Sequence, residues 1–246
     1  MQLALINLDS AVDRRRHMTT QLDALGIAFQ RFGFDGRTLS SDAIVEWSHR
    51  HFPHLDFDTD ALSGAEIGCW LSHLLAWRWL RDDIAGASCA VIEDDLVLGP
   101  GLAATLRALA EPAPYDLIYL GTSSRNISSR RRIEIGGRAV HEPVGSILNT
   151  WGYVVSRSFV EQVLDMRSFR IRVPIDHFLG GNVRDRRPLI SVVQPAALWE
   201  DQRLGRLSQI EPHTFRPDRW RVVEDIRRRF LGSRIGELYY SVYRWL

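Results

Sequence analysis

Three adjacent carboxylates, Glu93-Asp94-Asp95, are the residues in this chain whose type and spacing point most directly to chemistry. They follow the apolar run Cys89-Ala90-Val91-Ile92 and precede Leu96-Val97-Leu98, which puts them at a strand end beside the core. Carboxylates crowded in such a place repel one another and raise each other's pKa unless a cation neutralises them. Hard oxygen ligands select Mg²⁺ or Mn²⁺. In an open α/β sheet the carboxyl ends of the strands form the ligand crevice, so Glu93 and Asp95, one residue apart, are suited to hold such an ion against a diphosphate. A solvated acidic turn is the plain alternative for the triplet taken alone.

Three further groups have the right types. In Gly64-Ala65-Glu66-Ile67-Gly68-Cys69-Trp70-Leu71-Ser72-His73, helical spacing puts Glu66, Cys69, Trp70 and His73 on one face, and Gly68 admits another backbone or a ligand. On spacing alone, a capped helix with a satisfied histidine accounts for this segment. Asn7-Leu8-Asp9, followed by Arg14, Arg15 and Arg16, is a polar strand end leading into a helix N-terminus, a natural nucleotide contact or simply an N-cap with a solvated face. Asp176-His177 offers a carboxylate and an imidazole of the kind a general base requires, although isolated pairs of this sort are common. His49, His51 and His54 lie close together, but Pro53 interrupts them and no Cys is near, so a solvated or acceptor-facing excursion is expected there rather than a metal site.

The elements that must position these groups follow from the hydrophobic pattern. Residues 3–8 read as a buried strand, 13–25 as a helix ended by Gly26, and 29–32 as a second strand, which together make a βαβ unit and seed a parallel sheet. Residues 39–62 are mixed. Residues 63–80 form a helix, because Ser63 and Glu66 have the spacing of a capping box and Leu71, Leu74, Leu75 and Trp79 supply a core face. Strands follow at 89–92 and 115–120, with a helix ending near Leu109 between them. Residues 122–149 are polar, with a hairpin centred on Gly136-Gly137. A strand at 151–155, a helix from 158, a short helix at 174–179 and a last clear strand at 190–193 complete the domain. Residues 1–212 are expected as one domain. Residues 213–246 are expected as a basic amphipathic helical tail, a candidate for packing on the domain or for lying on an anionic membrane through 218–246.

Composition narrows the classes. The 246 residues carry a net charge of +1, which gives no general reason to expect nucleic acid as a partner. All 31 Lys and Arg residues are Arg, so no Lys can form a Schiff base, and anions must be held by guanidinium forks, backbone N–H groups or a metal. The two cysteines, Cys69 and Cys89, do not make a disulfide framework and are expected reduced and buried. With no signal-peptide pattern and no apolar run of spanning length, a cytoplasmic location is expected, peripheral on the inner face of the membrane if the tail binds there.

Taken in order, Ile6-Asn7-Leu8-Asp9 with Arg14-Arg15, Asp35-Gly36, Gly64…Glu66-Ile67-Gly68-Cys69…Ser72-His73 and Glu93-Asp94-Asp95 resemble glycosyltransferase family 25, the bacterial lipooligosaccharide galactosyltransferases and the related collagen galactosyltransferases. Trp151-Gly152-Tyr153-Val154-Val155-Ser156 resembles the family's strand before its next helix, and Pro174-Ile175-Asp176…Leu179 its Pro-x-Asp segment. The resemblance implies an α/β, GT-A-like fold with a mixed, mainly parallel sheet flanked by helices. It also implies a UDP-sugar donor, often UDP-galactose, a divalent metal (Mn²⁺ or Mg²⁺), a glycan or lipid-linked glycan acceptor, and inversion in a single displacement. By position, Glu93 and Asp95 would be metal ligands. Asn7, Leu8, Asp9, Arg15, Asp35, Gly36, Ser63, Glu66, Cys69, Ser72 and His73 would border the donor, and Asp176 and Asp94 would be the catalytic carboxylates. The Arg-rich insertion at 122–149 and the segment 194–202 depart from the family pattern and leave the acceptor open.

Two other readings remain at this point. A metal-dependent nucleotidyltransferase would also need acids on a metal, but it would normally carry a Gly-rich phosphate loop or an N-terminal Lys, and neither is here. A non-catalytic nucleotide-sugar or glycan-binding protein could keep the fold without turnover, against which the intact acidic triplet argues.

Overall fold

The computed structural model describes residues 1–110, 114–122, 127–166, 169–180 and 190–205. The expected tail at 213–246 lies outside them. In chain order the elements are β1 (Gln2–Ile6), α1 (Val12–Ala24), β2 (Gln30–Phe32), α2 (Ser41–His51), β3 (Leu55–Phe57), α3 (Gly64–Asp82), β4 (Ser88–Ile92), β5 (Leu96–Leu98), α4 (Leu102–Ala108), β6 (Leu117–Tyr119), β7 (Ile127–Ile135), β8 (Arg138–Pro143), β9 (Gly152–Ser156), α5 (Arg157–Leu164), β10 (Phe169–Ile171), α6 (Ile175–Gly180), β11 (Ile190–Gln194), β12 (Leu198–Glu200) and α7 (Gln202–Gly205).

Eight strands form one sheet in the order β2-β1-β4-β9-β6-β11-β8-β7. The β1–β2, β1–β4 and β6–β11 pairs are parallel, and β9 and β8 run against their neighbours, so the sheet is mixed and mainly parallel, as expected. Its central strands are continuous apolar runs because both faces are covered. Strand alternation divides their side chains: Ala4, Ile6, Cys89 and Val91 pack with α3, α5 and α6, whereas Leu3, Leu5, Ala90 and Ile92 pack with Met18 and Leu22 of α1 and Leu102 and Leu106 of α4.

The 19-residue α3 is the spine of the first layer. Ser63 caps it: its Oγ accepts the Glu66 N–H at 3.3 Å, and Glu66 Oε2 accepts the Ser63 N–H at 2.8 Å. Trp70, Leu71, Leu74, Trp77 and Leu80 are all fully buried along it. Gly64 and Gly68 let the loop after β2 lie directly on this helix. A Cβ on Gly68 would stand 2.7 Å from the Phe34 carbonyl oxygen, and one on Gly36 would stand 2.0 Å from that of Gly64. The close approach that Gly68 permits is therefore made by backbone.

Residues 39–62 are more ordered than their mixed composition suggests. Ser40 caps α2 by accepting the Ala43 N–H, Ile44 and Ser48 face inward, and β3 pairs with the distant β10. A strand also follows Pro195: β12 runs antiparallel to β5. The hairpin expected around Gly136-Gly137 is β7–β8. Both turn residues have positive φ, 55° and 76°, which glycine adopts without a Cβ clash. Through β8 the hairpin extends the main sheet beside β11.

Candidate active site

The carboxyl ends of β1 and β4 and the start of the antiparallel β9 meet along one edge of the sheet. The Glu93 N–H donates to the Trp151 carbonyl at 2.9 Å, and the Asn7 N–H to that of Phe32 at 2.8 Å. The acidic triplet stands there, and its members part. Glu93 lies on the α3 side: the Thr150 hydroxyl donates to Oε1, and His73 Nε2 is 3.7 Å from the same oxygen. Asp94 lies on the α1 side, where Asn7 Nδ2 donates to Oδ2 at 2.7 Å and Arg14 Nη1 to Oδ1 at 3.0 Å.

Asp95 shares Arg14, whose Nη1 is 3.3 Å from Oδ2, but its buried Oδ1 has no hydrogen-bond partner among the described residues. Burial, then repulsion from Glu93, pushes the Asp95 carboxyl up to about 7. The Asp95 backbone is tied by its carbonyl to the Asp201 N–H at 2.8 Å, and Arg14 Nη2 donates to the Leu204 carbonyl at 2.9 Å, so the chain after β12 closes one side of the cluster.

The helix face predicted from sequence comes to the same place. Ligand atoms of Cys69, His73 and Glu93 all lie within 4.8 Å of one another. Burial and the charges of Glu93, Asp176, Glu66 and Asp95 hold the Cys69 thiol well above its ordinary value. Cys69 is half-buried, Cys89 is fully buried in β4, and neither is in a disulfide.

Asp176 opens α6, which is docked on α3 by the Trp70 indole N–H donating to the Val173 carbonyl at 2.8 Å and by the Phe178 ring 4.9 Å from Trp70. Burial raises the Asp176 carboxyl, and Glu93 raises it further, whereas His177 opposes this; Asp176 Oδ1 accepts the His177 N–H at 2.8 Å.

Other residues singled out from sequence do different work. Ser72 Oγ accepts the Phe34 N–H at 2.9 Å and donates to the Gly68 carbonyl at 2.7 Å, so it positions the loop through Asp35 and Gly36. Asp35 is engaged by Arg37, which lowers its pKa, and the mostly exposed Asp9 by Arg31 at 2.5 Å. The Leu8 carbonyl accepts the Ala11 N–H and turns the chain into α1. Ser63 and Glu66 form the cap of α3. Arg14, rather than Arg15, makes the contact with the acids. Thr150 was not anticipated. It belongs to no motif and reaches Glu93 only because β9 pairs antiparallel with β4.

Asp95 thus has one buried oxygen unpaired among the described residues and a carboxyl raised first by burial and then by repulsion from Glu93, a charge that a hard cation would offset.

Residues 1–179 match the family model described as glycosyltransferase family 25 (LPS biosynthesis protein). The chain is similar to a glycosyltransferase 25 family member of Drosophila melanogaster, 29% identical over 208 residues, which cover 81% of this chain and 32% of that protein. It is similar to procollagen galactosyltransferase 1-A of Xenopus laevis, 28% identical over 195 residues, covering 72% and 30% of the two chains. It is also similar to the lacto-N-neotetraose biosynthesis glycosyltransferase LgtB of Neisseria gonorrhoeae, 28% identical over 244 residues, covering 90% and 85%. The matched region thus spans about a third of the animal relatives' length and most of the bacterial one's. With nearly three-quarters of its length inside the family match, this chain belongs to glycosyltransferase family 25.

Proposed function

We propose that this chain transfers a hexose from a UDP-sugar to a glycan hydroxyl, with a divalent cation and with inversion at the anomeric carbon. Galactose is the proposed sugar, because the frog relative is a galactosyltransferase by name; a lipopolysaccharide-type surface glycan is the proposed product, in line with the family's description. The observation that carries the reading is the carboxylate cluster at the carboxyl ends of β1 and β4, with Asp95 Oδ1 buried and unpaired.

Glu93 and Asp95 would hold the cation, Mn²⁺ or Mg²⁺. When bound, it neutralises charge growing on the departing nucleoside diphosphate. Asp94, with both oxygens engaged by Asn7 and Arg14, braces the triplet and fixes where Arg14 stands. Arg14 then contributes a guanidinium already held in place by Asp94. Asp176 is the proposed base. As the acceptor hydroxyl oxygen bonds to the anomeric carbon and the glycosyl–phosphate bond breaks, its carboxylate takes the hydroxyl proton, and burial favours the carboxyl that holds it. Attack opposite the leaving group inverts the centre. Asn7, Glu66, Ser72 and the loop through Asp35 and Gly36 are proposed to shape the donor side. A cytoplasmic location, with residues 218–246 lying on anionic lipid beside a lipid-linked acceptor, completes the reading.

The test is UDP release from a panel of UDP-sugars with and without Mn²⁺ and with and without acceptor glycans. Metal-dependent release is expected, falling by roughly 10²-fold or more in Glu93→Gln and Asp95→Asn. Unchanged turnover in both variants would overturn the site. Metal-dependent UDP binding with no transfer to any acceptor would favour a binding protein instead.

A further inference from the structure

His73 contains a buried nitrogen for which the transferase reading has no use. The ring is fully buried, Nδ1 is 2.7 Å from the Tyr153 hydroxyl, and Nε2 has no hydrogen-bond partner among the described residues. That nitrogen faces Glu93 Oε1 at 3.7 Å and belongs to the only group of three possible metal-ligand residues found among the described residues, with the Cys69 sulfur as the third atom.

Cys69 and His73 are four apart on α3, so one helix presents both to the same point, and Glu93 follows directly after β4. We propose that Cys69, His73 and Glu93 form a second cation site, built for a borderline-soft ion, Zn²⁺, and distinct from the hard-cation position between Glu93 and Asp95.

The ligand chemistry separates the two positions. A thiolate and an imidazole are poor ligands for Mg²⁺ and good ones for Zn²⁺, and thiolate, imidazole and carboxylate together leave a fourth position open on a tetrahedral ion. Zinc bonds of about 2.0 to 2.3 Å put ligand atoms roughly 3.3 to 3.8 Å apart. The ligand atoms now lie within 4.8 Å of one another, so zinc would have to draw the Glu93 and Cys69 side chains in by about 1 Å, with Glu93 Oε1 also accepting the Thr150 hydroxyl.

Tyr153 supplies the outer support that such sites use. Its hydroxyl oxygen accepts the Trp77 indole N–H at 3.1 Å and stands 2.7 Å from His73 Nδ1; with zinc on Nε2, Nδ1–H would donate to that oxygen. The Cys69 proton leaves to solvent as the thiolate–zinc bond forms, so binding strengthens with pH. Because Glu93 belongs to both positions, zinc at the second withdraws a ligand from the first.

The site needs neither donor nor acceptor, so it is tested on the full chain with metal alone. Co²⁺ titrated into the metal-free protein is expected to produce a thiolate-to-cobalt charge-transfer band that Zn²⁺ displaces. The band should persist in Cys89→Ala and vanish in Cys69→Ser, whose Zn²⁺ affinity should fall at least tenfold. No band in the unmodified protein, or a band that survives Cys69→Ser, overturns the proposal. Zinc-edge X-ray absorption on the unmodified protein decides the point without any variant: a sulfur scatterer at about 2.3 Å supports it, and a shell of nitrogen and oxygen alone overturns it. Loss of transferase activity in Asp95→Asn, a residue outside the zinc position, bears on the other site and leaves this result unaffected.

Discussion

Asp95→Asn should make the metal-free protein more stable while disabling it. The side chain is only 19% exposed, its Oδ1 is unpaired, and its carboxyl is raised from 3.8 to about 7. A tenfold change in proton affinity is worth about 1.4 kcal/mol, so carrying this charge in the folded state costs on the order of 4 kcal/mol. The sign follows from linkage. Between about pH 4 and pH 7 the folded chain holds a proton that the unfolded chain releases, so stability falls as pH rises through that window and the full cost stands above it.

Asparagine keeps the shape and the contact to Arg14 but cannot ionise. At pH 8 the variant should therefore melt roughly 8 to 16 °C above the parent, and at pH 5 the gap should shrink to less than half. Mn²⁺ should raise the melting temperature of the parent at pH 8 and leave the variant unmoved, because only the parent gains a cation for its charge. Thermal melts at the two pH values, with and without Mn²⁺, read all of this. A variant that melts at or below the parent at pH 8, or a gap that does not narrow at pH 5, would refute the claim that Asp95 is held under electrostatic strain.

Three further outcomes test the scaffold around the acids. Gly68→Ala places a methyl 2.7 Å from the Phe34 carbonyl oxygen and 2.8 Å from the Gly36 nitrogen. It should cost about 1–3 kcal/mol in urea denaturation, and a neutral result would mean the loop is not seated on α3. Tyr153→Phe strips the partner from His73 Nδ1 and Trp77 Nε1 and should cost about 1–3 kcal/mol in the same assay. Ser63→Ala removes one arm of the α3 capping box, an expected loss of about 0.5–2 kcal/mol by thermal melt; Ser63→Asp should recover most of it.

Much of the fold was legible because its signals are local. The apolar runs of β1 and β4 and the Ser63–Glu66 cap of α3 need no knowledge of distant residues. What escaped depends on non-local pairing. β3 and β12 have three residues each, too short for periodicity, and exist because β10 and β5 pair with them from far along the chain. α2 was hidden by polar, His-rich composition, although Ile44 faces the core and the Trp47 and His51 rings lie 4.2 Å apart. In the site, the triplet stood out because acids rarely follow a buried strand. Choosing among Arg14, Arg15 and Arg16 required the rotation of α1 about its axis, which three consecutive arginines do not reveal.

The divergence of the triplet is itself a consequence of strand geometry. Along β4, Cys89 and Val91 face the α3 layer, while Ala90 and Ile92 face the α1 layer. The alternation runs one step past the last paired residues, so Glu93 continues toward α3 and meets His73 and Thr150, and Asp94 turns toward α1 and meets Asn7 and Arg14. Three adjacent carboxylates need not share one environment. The strand sends the first two to opposite layers, and the bend after it returns Asp95 to Arg14 with one oxygen still unpaired. A one-residue slip of β4 against β1 would turn Glu93 toward α1 and Asp94 toward α3, taking Glu93 from His73 and Thr150 and Asp94 from Asn7 and Arg14. The β1–β4 register, Leu5 opposite Ile92, thus fixes the charge pattern of the site as well as the core.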